Sequence, residues 1–417
     1  MNPTDLGRIP ADLEAAIRGN TATSPAGGEA ALANLRPVRL ALHGLGPFRN
    51  PNPTVIDFLT PSLGEEQPSR EPCDVFVITG DNGTGKSSVL KAIHGLFDLL
   101  SSSPSGMFAR LGTSATYTFA RALRPLPSAR LDMFADCSID GHARRVLITL
   151  WHGAELPPGN YEGTDPLVKN LGGRERVLIG FAQGTRVAAA TNESGLRILK
   201  AVRSMEGTPL IDPASERSLA AGLRPLPIAM HFREGRSVPE RTAGSPGSSI
   251  PEYTPARAFD ISGDVAAYVS RSLRTLALKP LQGLLDELGE AVFLNSVPRS
   301  VITAMPARQV QVERGRLKHH GLSELGTGET ALLALHAQGW LHMTTGALLL
   351  IDALDDRIAR KWHEKVAMTT LRLAMGRAGA TVILTTRDIR FSDMIADAAA
   401  ELGLAYAGTS LFNDHNV

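Results

Sequence analysis

Apolar residues run in short unbroken stretches near the two ends of this chain and alternate with polar ones through its middle. Val75-Phe76-Val77-Ile78 and Ala347-Leu348-Leu349-Leu350-Ile351 are continuous, and Thr381-Val382-Ile383-Leu384-Thr385-Thr386 reads as a third such run, the pattern of strands buried on both faces of a parallel sheet. Val38 to Leu45 and Thr54 to Phe58 read as an opening strand pair. In the middle, Leu131, Met133, Ala135, Cys137 and Ile139 occupy every second position. Asp140-Gly141 is then a turn dipeptide, and Val146, Ile148 and Leu150 alternate back. That arrangement predicts a β-hairpin. Arg176 to Val187 predicts another strand pair, and Pro227 to Phe232 a further strand ending at Arg233 and Arg236. Ser237 to Ala258, rich in Pro, Gly and Ser, reads as a mobile loop. Helical spacing runs from Ser88 to Phe97, over Thr330 to Leu335, and from Asp264 to Leu294 with a break at Pro280.

The junction between the first continuous run and the first helix carries chemistry. Gly80-Asp81-Asn82-Gly83-Thr84-Gly85-Lys86-Ser87 fits G-x-x-x-x-G-K-[ST] without a mismatch, with Ser88 next in the helix behind it. Gly80, Gly83 and Gly85 let the backbone turn tightly and aim several N–H groups at one phosphate chain. The helix adds its positive N-terminal end. Lys86 suits the outer phosphates, and the Ser87 hydroxyl suits Mg²⁺. These residues predict a site for a nucleoside triphosphate, ATP, with Mg²⁺. Asp352 ends the Ala347–Ile351 run, where an acid holds Mg²⁺ through water, so Ser87 and Asp352 are the expected metal pair.

Composition narrows the class without naming a function. The chain has 417 residues, a formal net charge of +1 and two cysteines, Cys73 and Cys137. No global basic field advertises nucleic acid. Two cysteines without metal-ligand spacing argue against a disulfide framework or structural zinc. No apolar run approaches the length of a membrane span, and the first residues do not pattern as a signal peptide. The expectation is a reduced, cytoplasmic protein without a membrane partner.

Leu322-Ser323-Glu324-Leu325-Gly326-Thr327-Gly328-Glu329 precedes an apolar helix and then the run that ends in Asp352. Here the chain resembles the ABC-type ATPases, in the branch of the SMC, RecF and overcoming-lysogenization-defect proteins. In that branch a signature close to L-S-S-G-E opens a helix ahead of the Walker B strand. Gly44-Leu45-Gly46-Pro47-Phe48 also resembles the start of such ATPases. The resemblance implies an α/β P-loop fold with a mainly parallel core sheet, an antiparallel β lobe and a helical insertion. Residues 1–35, rich in Ala, Gly, Pro and Thr, read as a flexible lead, and the resemblance implies one ATPase domain over 36–417. Within that domain, 36–100 holds the N-terminal strands and phosphate loop. Residues 101–320 hold the lobe, loop and insertion, and 321–417 the signature, Walker B strand and last core strand. Also implied is an ATP-dependent head-to-tail homodimer, in which Thr327, Gly328 and Glu329 of one subunit cap the ATP of the other. Implied partners are DNA or an effector such as a nuclease, in bacterial genome maintenance or phage defence. The stretch from Phe391 to Val417, after the last core strand, is too short for a Toprim nuclease domain.

Three positions depart from the family. Ala353 stands where a glutamate polarises the attacking water, Arg387 where a histidine follows the last strand, and Gly326 at the signature's first serine. Asp355, about one turn beyond Asp352, is the candidate substitute acid. Arg387 either meets the γ-phosphate or pairs with Asp355 or Asp388. These departures leave open a slow ATPase, a DNA-stimulated repair ATPase and an ATP-binding scaffold that does not hydrolyse. His94 reads as a packed or surface residue, and adjacent His319-His320 as no metal site. Arg233, Arg236, Arg271 and Arg274 read as solvated surface or a DNA-backbone patch.

Overall fold

Continuous apolar runs belong in the middle of a sheet covered on both faces. The computed structural model describes residues 31–50, 52–60, 71–104, 108, 127–139, 141–153, 175–181, 189–210, 228–233, 252–260, 278–292, 301–304, 310–313, 319–321 and 324–411. The three runs become β3 (Val75–Gly80), β13 (Leu348–Ile351) and β14 (Thr381–Thr386) of a six-stranded sheet. With β8 (Ala229–Arg233), β9 (Ala256–Asp260) and β15 (Tyr406–Leu411) the order is β15-β3-β14-β13-β8-β9. Every neighbouring pair is parallel. The carboxyl ends of all six strands therefore share one edge, where ligands of such sheets bind.

Two of these strands come from the stretch that patterns as an insertion. β8 pairs with β13 from Ala229↔Leu348 to Phe232↔Ile351, and β9 pairs with β8. Residues 256–258, which pattern as the end of a loop, are the start of β9. At the other edge, β15 follows the strand that the pattern makes last. Tyr406-Ala407-Gly408-Thr409-Ser410-Leu411 is an edge strand with mostly half-buried or exposed positions, so it lacks the continuous apolar signature of its neighbours.

A second sheet is built around the expected hairpin, β4 (Ser128–Ile139) with β5 (His142–His152), in antiparallel register from Ala129↔His152 to Ile139↔His142. The lobe is not a free-standing insertion. β1 (Ala31–His43) pairs along β4, and β2 (Thr54–Asp57) pairs with β1. The boundary placed after residue 35 thus falls inside a strand, because Leu32 and Leu35 are buried in the β1–β4 pairing. Nor is the lobe wholly antiparallel, since β6 (Arg176–Phe181) runs parallel to β5. Its antiparallel partner β7 is Ala189–Thr191, beyond the expected Val187, and completes the order β2-β1-β4-β5-β6-β7. Gly180 fits here by size: an added Cβ would fall inside the Trp151 indole. A third, antiparallel sheet joins β10 (Val301–Ala304), β11 (Val310–Glu313) and β12 (His319–Gly321), so His319-His320 lie in a strand. Residues 1–30, Arg236, Arg271 and Arg274 lie outside the described residues, and of the expected 264–294 helix 278–292 is described.

Helix α1 (Lys86–Asp98) touches both large sheets, contacting β4 and β5 of one and β3, β8, β9, β13 and β14 of the other. It is apolar around most of its circumference, and Val89, Leu90, Ala92, Ile93, Leu96 and Phe97 are fully buried. Each large aliphatic or aromatic side chain among them gains about 1.5–3 kcal/mol on leaving water. The remaining helices are α2 (Glu193–Ser204), α3 (Leu278–Ala291), α4 (Thr327–His342), α5 (His363–Ala378) and α6 (Ile389–Glu401). None of the helices among the described residues is long and apolar enough to cross a membrane.

His94 of α1 meets His231 of β8, with ring centroids 5.5 Å apart. The Nε2 atoms of both are buried without a hydrogen-bond partner among the described residues. Burial first, then the charge of Arg233, lowers His94 to about 4. Burial also pulls His231 well below its ordinary value, with His94, Arg233 and Lys91 adding to it. The unfolded chain takes up protons near the ordinary histidine value of about 6.5, whereas the folded chain resists them. The stability these groups contribute is therefore full above that value and falls as pH drops toward 4. Urea midpoints measured between pH 7.5 and 5 should decline, and His94→Leu should flatten the decline; identical slopes in both proteins would contradict this account.

Candidate nucleotide site

The phosphate loop joins β3 to α1 at the carboxyl edge of the core sheet. Gly80 sits at φ 146°, and an added Cβ would overlap the Leu411 carbonyl of β15. Gly85 sits at φ 104°, and a Cβ there would come within 2.6 Å of Pro47 and 2.7 Å of Phe48. The Leu45–Phe48 turn, closed by the Phe48 N–H donating to the Leu45 carbonyl, thereby rests directly on the loop. Only glycine combines these backbone conformations with such close neighbours.

β14 lies between β3 and β13, so Asp352 reaches the phosphate loop across one strand. Ser87 Oγ donates to Asp352 Oδ1 at 3.0 Å, and Thr385 Oγ1 of β14 donates to the same oxygen at 2.7 Å. The Asp352 N–H donates to the Phe232 carbonyl of β8, which fixes the acid at the strand end. The two residues that sequence pairs around a metal are thus in contact, and their oxygen donors match the hard-cation chemistry of Mg²⁺. Lys86 Nζ donates to the Gly80 and Asp81 carbonyls at 2.5 and 2.7 Å. Its pKa is lowered, first by burial and then by the charge of Arg387, against the pull of Asp352, Asp81 and Asp355.

Lys86, Ser87 and Asp352 line a cleft of about 200 Å³, joined from the loop and helix by Asn82, Gly83, Gly85 and Ser88. β13 and β14 and the turns after them add Ala353, Asp356, Thr385, Thr386 and Arg387, and Pro47 completes the wall. Asp81 stands beside the cleft through its carbonyl, and Thr84 Oγ1 closes the loop by donating to that carbonyl at 3.0 Å. Thr385 and Thr386 end the strand expected beside a γ-phosphate, whereas Pro47 and Asp356 are members that sequence reasoning did not assign to the site. Two signals point to them: the paired acids Asp355-Asp356 after β13 for Asp356, and the Gly44-Leu45-Gly46-Pro47-Phe48 turn motif for Pro47.

The departing positions differ in where they stand. Ala353 lines the cleft with φ 48°, the one non-glycine residue with positive φ among the described residues. That conformation costs about 1–2 kcal/mol, and the Ala353 N–H offsets part of it by donating to Thr385 Oγ1 at 3.1 Å. Asp355 is buried behind the wall, where its Oδ2 accepts from Thr386 Oγ1 at 2.6 Å. It is not among the cleft-lining residues. Arg387 does line the cleft, and its ion-pair partner is Asp356 rather than Asp355 or Asp388. Asp388 instead caps α6 by accepting the Arg390 N–H at 3.0 Å.

The signature-like residues are not among those lining this cleft. Thr327 opens α4, and Gly326 and Thr327 are exposed. Glu329 accepts the Gly326 N–H at 3.2 Å and so satisfies its own helix start. Gly328 abuts the 3-10 turn Leu354–Arg357 so closely that a Cβ would lie 2.9 Å from the Arg357 carbonyl.

Residues 39–106 match the family model of an AAA domain. No curated protein matches the chain. Among solved structures, the SMC head domain from Thermotoga maritima is similar over 87% of this chain and 92% of its own, at 13% identity and a TM-score of 0.37. An SMC head with an extended coiled coil, bound to the C-terminal domain of ScpA and derived from Pyrococcus furiosus, is similar over 90% and 94%, at 14% identity and a TM-score of 0.37. A dimeric bacterial ABC transporter cassette is similar over 92% and 94%, at 12% identity and a TM-score of 0.31. The AAA-domain match around the phosphate loop, the acid one strand away and the parallel sheet that aligns them make this an α/β P-loop fold.

Proposed function

We propose that this chain is an ATP-binding switch that dimerises around ATP, hydrolyses it slowly and passes its nucleotide state to DNA or a partner effector. The observation that carries the reading is the Ser87–Asp352 contact at 3.0 Å beside Lys86. It gathers a hydroxyl, a carboxylate and an ammonium at the mouth of a glycine loop, the set that a magnesium-bound triphosphate requires. Mg²⁺, held by Ser87 and Asp352, would neutralise charge on the outer phosphates. Lys86 would exchange its two carbonyl acceptors for phosphate oxygens. Arg387 is the cation that suits the γ-phosphate, because its planar fork offers paired donors to phosphate oxygens.

Dimerisation is supported by the exposed start of α4. Gly326 and Thr327 present a helix N-terminus to solvent away from the chain's own cleft, a suitable cap for phosphate on another copy. The coupling to genome maintenance, phage defence or a nuclease is an inference from the resemblance.

A second reading, a nucleotide-gated scaffold without turnover, is favoured by the wall of the cleft. Ala353 has no group to polarise water, and Asp355 is buried against Thr386. A water-activating base must reach the attacking water directly or through one bridge.

Lys86→Ala should weaken Mg²⁺·ATP binding at least about 100-fold, and Asp352→Ala should remove the Mg²⁺ dependence of affinity. Calorimetric titration of both variants checks this, and unchanged affinities would remove the nucleotide site. Light scattering should show the mass of the chain doubling on adding Mg²⁺·ATP; a monomer at saturating ATP would exclude the switch by dimerisation. Phosphate release should be slow and should vanish in Lys86→Ala. A rate that rises strongly with DNA would favour the repair ATPase, and binding without any release would favour the scaffold.

A further inference from the structure

Two cations share the cleft. Lys86 and Arg387 are close enough for the arginine's charge to depress the lysine. The nearby acids differ in their freedom to answer them. Asp352 is engaged by Ser87 and Thr385, and Asp355 by Thr386. Asp356, on the cleft wall, forms the ion pair with Arg387. Its side chain is 22% exposed and that of Arg387 43%, so water screens the pair and the bond is weak enough to exchange.

A terminal phosphate lying against Lys86 would present charge and acceptor oxygens to the same guanidinium. A diphosphate ends one group earlier. We propose that Asp356 is an internal stand-in for the terminal phosphate: it holds Arg387 in the empty or diphosphate-bound cleft and yields it to a triphosphate. This rests on the triphosphate reading of the site given above, and it assigns Asp356 as a positioning residue that makes the cleft discriminate between the two nucleotides.

The position of Asp356 gives the exchange somewhere to go. It sits in the Leu354–Arg357 turn, which leaves β13 through the left-handed Ala353 and abuts Gly328 at the start of α4. The Arg387–Asp356 pair is one link between that turn and the end of β14, beside Thr386 with Asp355 and Thr385 with Ala353. A triphosphate that takes the arginine removes that one link, so the turn between the cleft and the start of α4 senses the ligand through a difference in contacts.

The test is a double-mutant cycle on the full chain with Mg²⁺, reading dissociation constants for ADP and for a non-hydrolysable ATP analogue. Asp356→Asn keeps the shape and should tighten the analogue about two- to fivefold while leaving ADP unchanged. Arg387→Ala should weaken the analogue about tenfold and also spare ADP. In the Arg387→Ala background, Asp356→Asn should have no further effect. The stand-in is overturned if Asp356→Asn tightens ADP as much as the analogue, or if its effect survives loss of Arg387, since either result means a through-space charge effect. A folded wild-type chain that binds neither nucleotide rejects the triphosphate reading, and the stand-in with it.

Discussion

Helix α1 is apolar around most of its circumference, so it is stable only when covered on two sides. The core sheet supplies one side, and β4 and β5 supply the other. The phosphate loop leads directly into that helix, and Pro47 and Phe48 press on it from the turn after β1. The lobe is thus more than an appendage: β1 leads into the turn that touches the loop, and β4 pairs with β1 from Ala31↔Ser138 to His43↔Ser128 across two register shifts. Burying one helix from both sides is what ties the two sheets to a single cleft.

Charge is concentrated at the carboxyl edge of the core sheet because parallel strands deliver their ends there together. β3 delivers the loop, β13 delivers Asp352, and β14 delivers Thr385, Thr386 and, one residue on, Arg387. A single-residue shift of β14 against its neighbours would point its hydroxyls to the wrong face. The registers Thr386↔Thr79 and Ile351↔Leu384 hold the three ends level. Ala353 follows at that edge in a left-handed conformation and brings no acid to it, so the carboxylates on the cleft wall are those of Asp352 and Asp356.

Legibility in the sequence tracks how local each signal is. The phosphate loop, Asp352 and the strands that carry them are readable because glycine spacing and unbroken apolar runs are local properties. The β4–β5 hairpin is readable because its alternation and turn dipeptide lie side by side. β8 is visible as an extended segment, yet its place beside β13 is not, because a strand's partner is set by long-range pairing that no window contains. β9 begins inside a stretch whose Pro, Gly and Ser content patterns as loop. β15 goes unseen because an edge strand has little apolar contrast, and Gly408, Thr409 and Ser410 offer none.

The order of residues is enough to place a phosphate loop between a buried strand and a buried helix, with an acid at the end of another strand. Those outcomes follow from backbone freedom at glycine and from hydrophobic burial, both written residue by residue. Which charges meet is settled only when the chain is packed. Asp355 and Asp356 are neighbours in the chain, yet one is buried against Thr386 and the other faces Arg387 in the cleft. Their side chains diverge in a 3-10 turn that starts at the left-handed Ala353 and packs against Gly328, and neither contact leaves a mark in the local sequence.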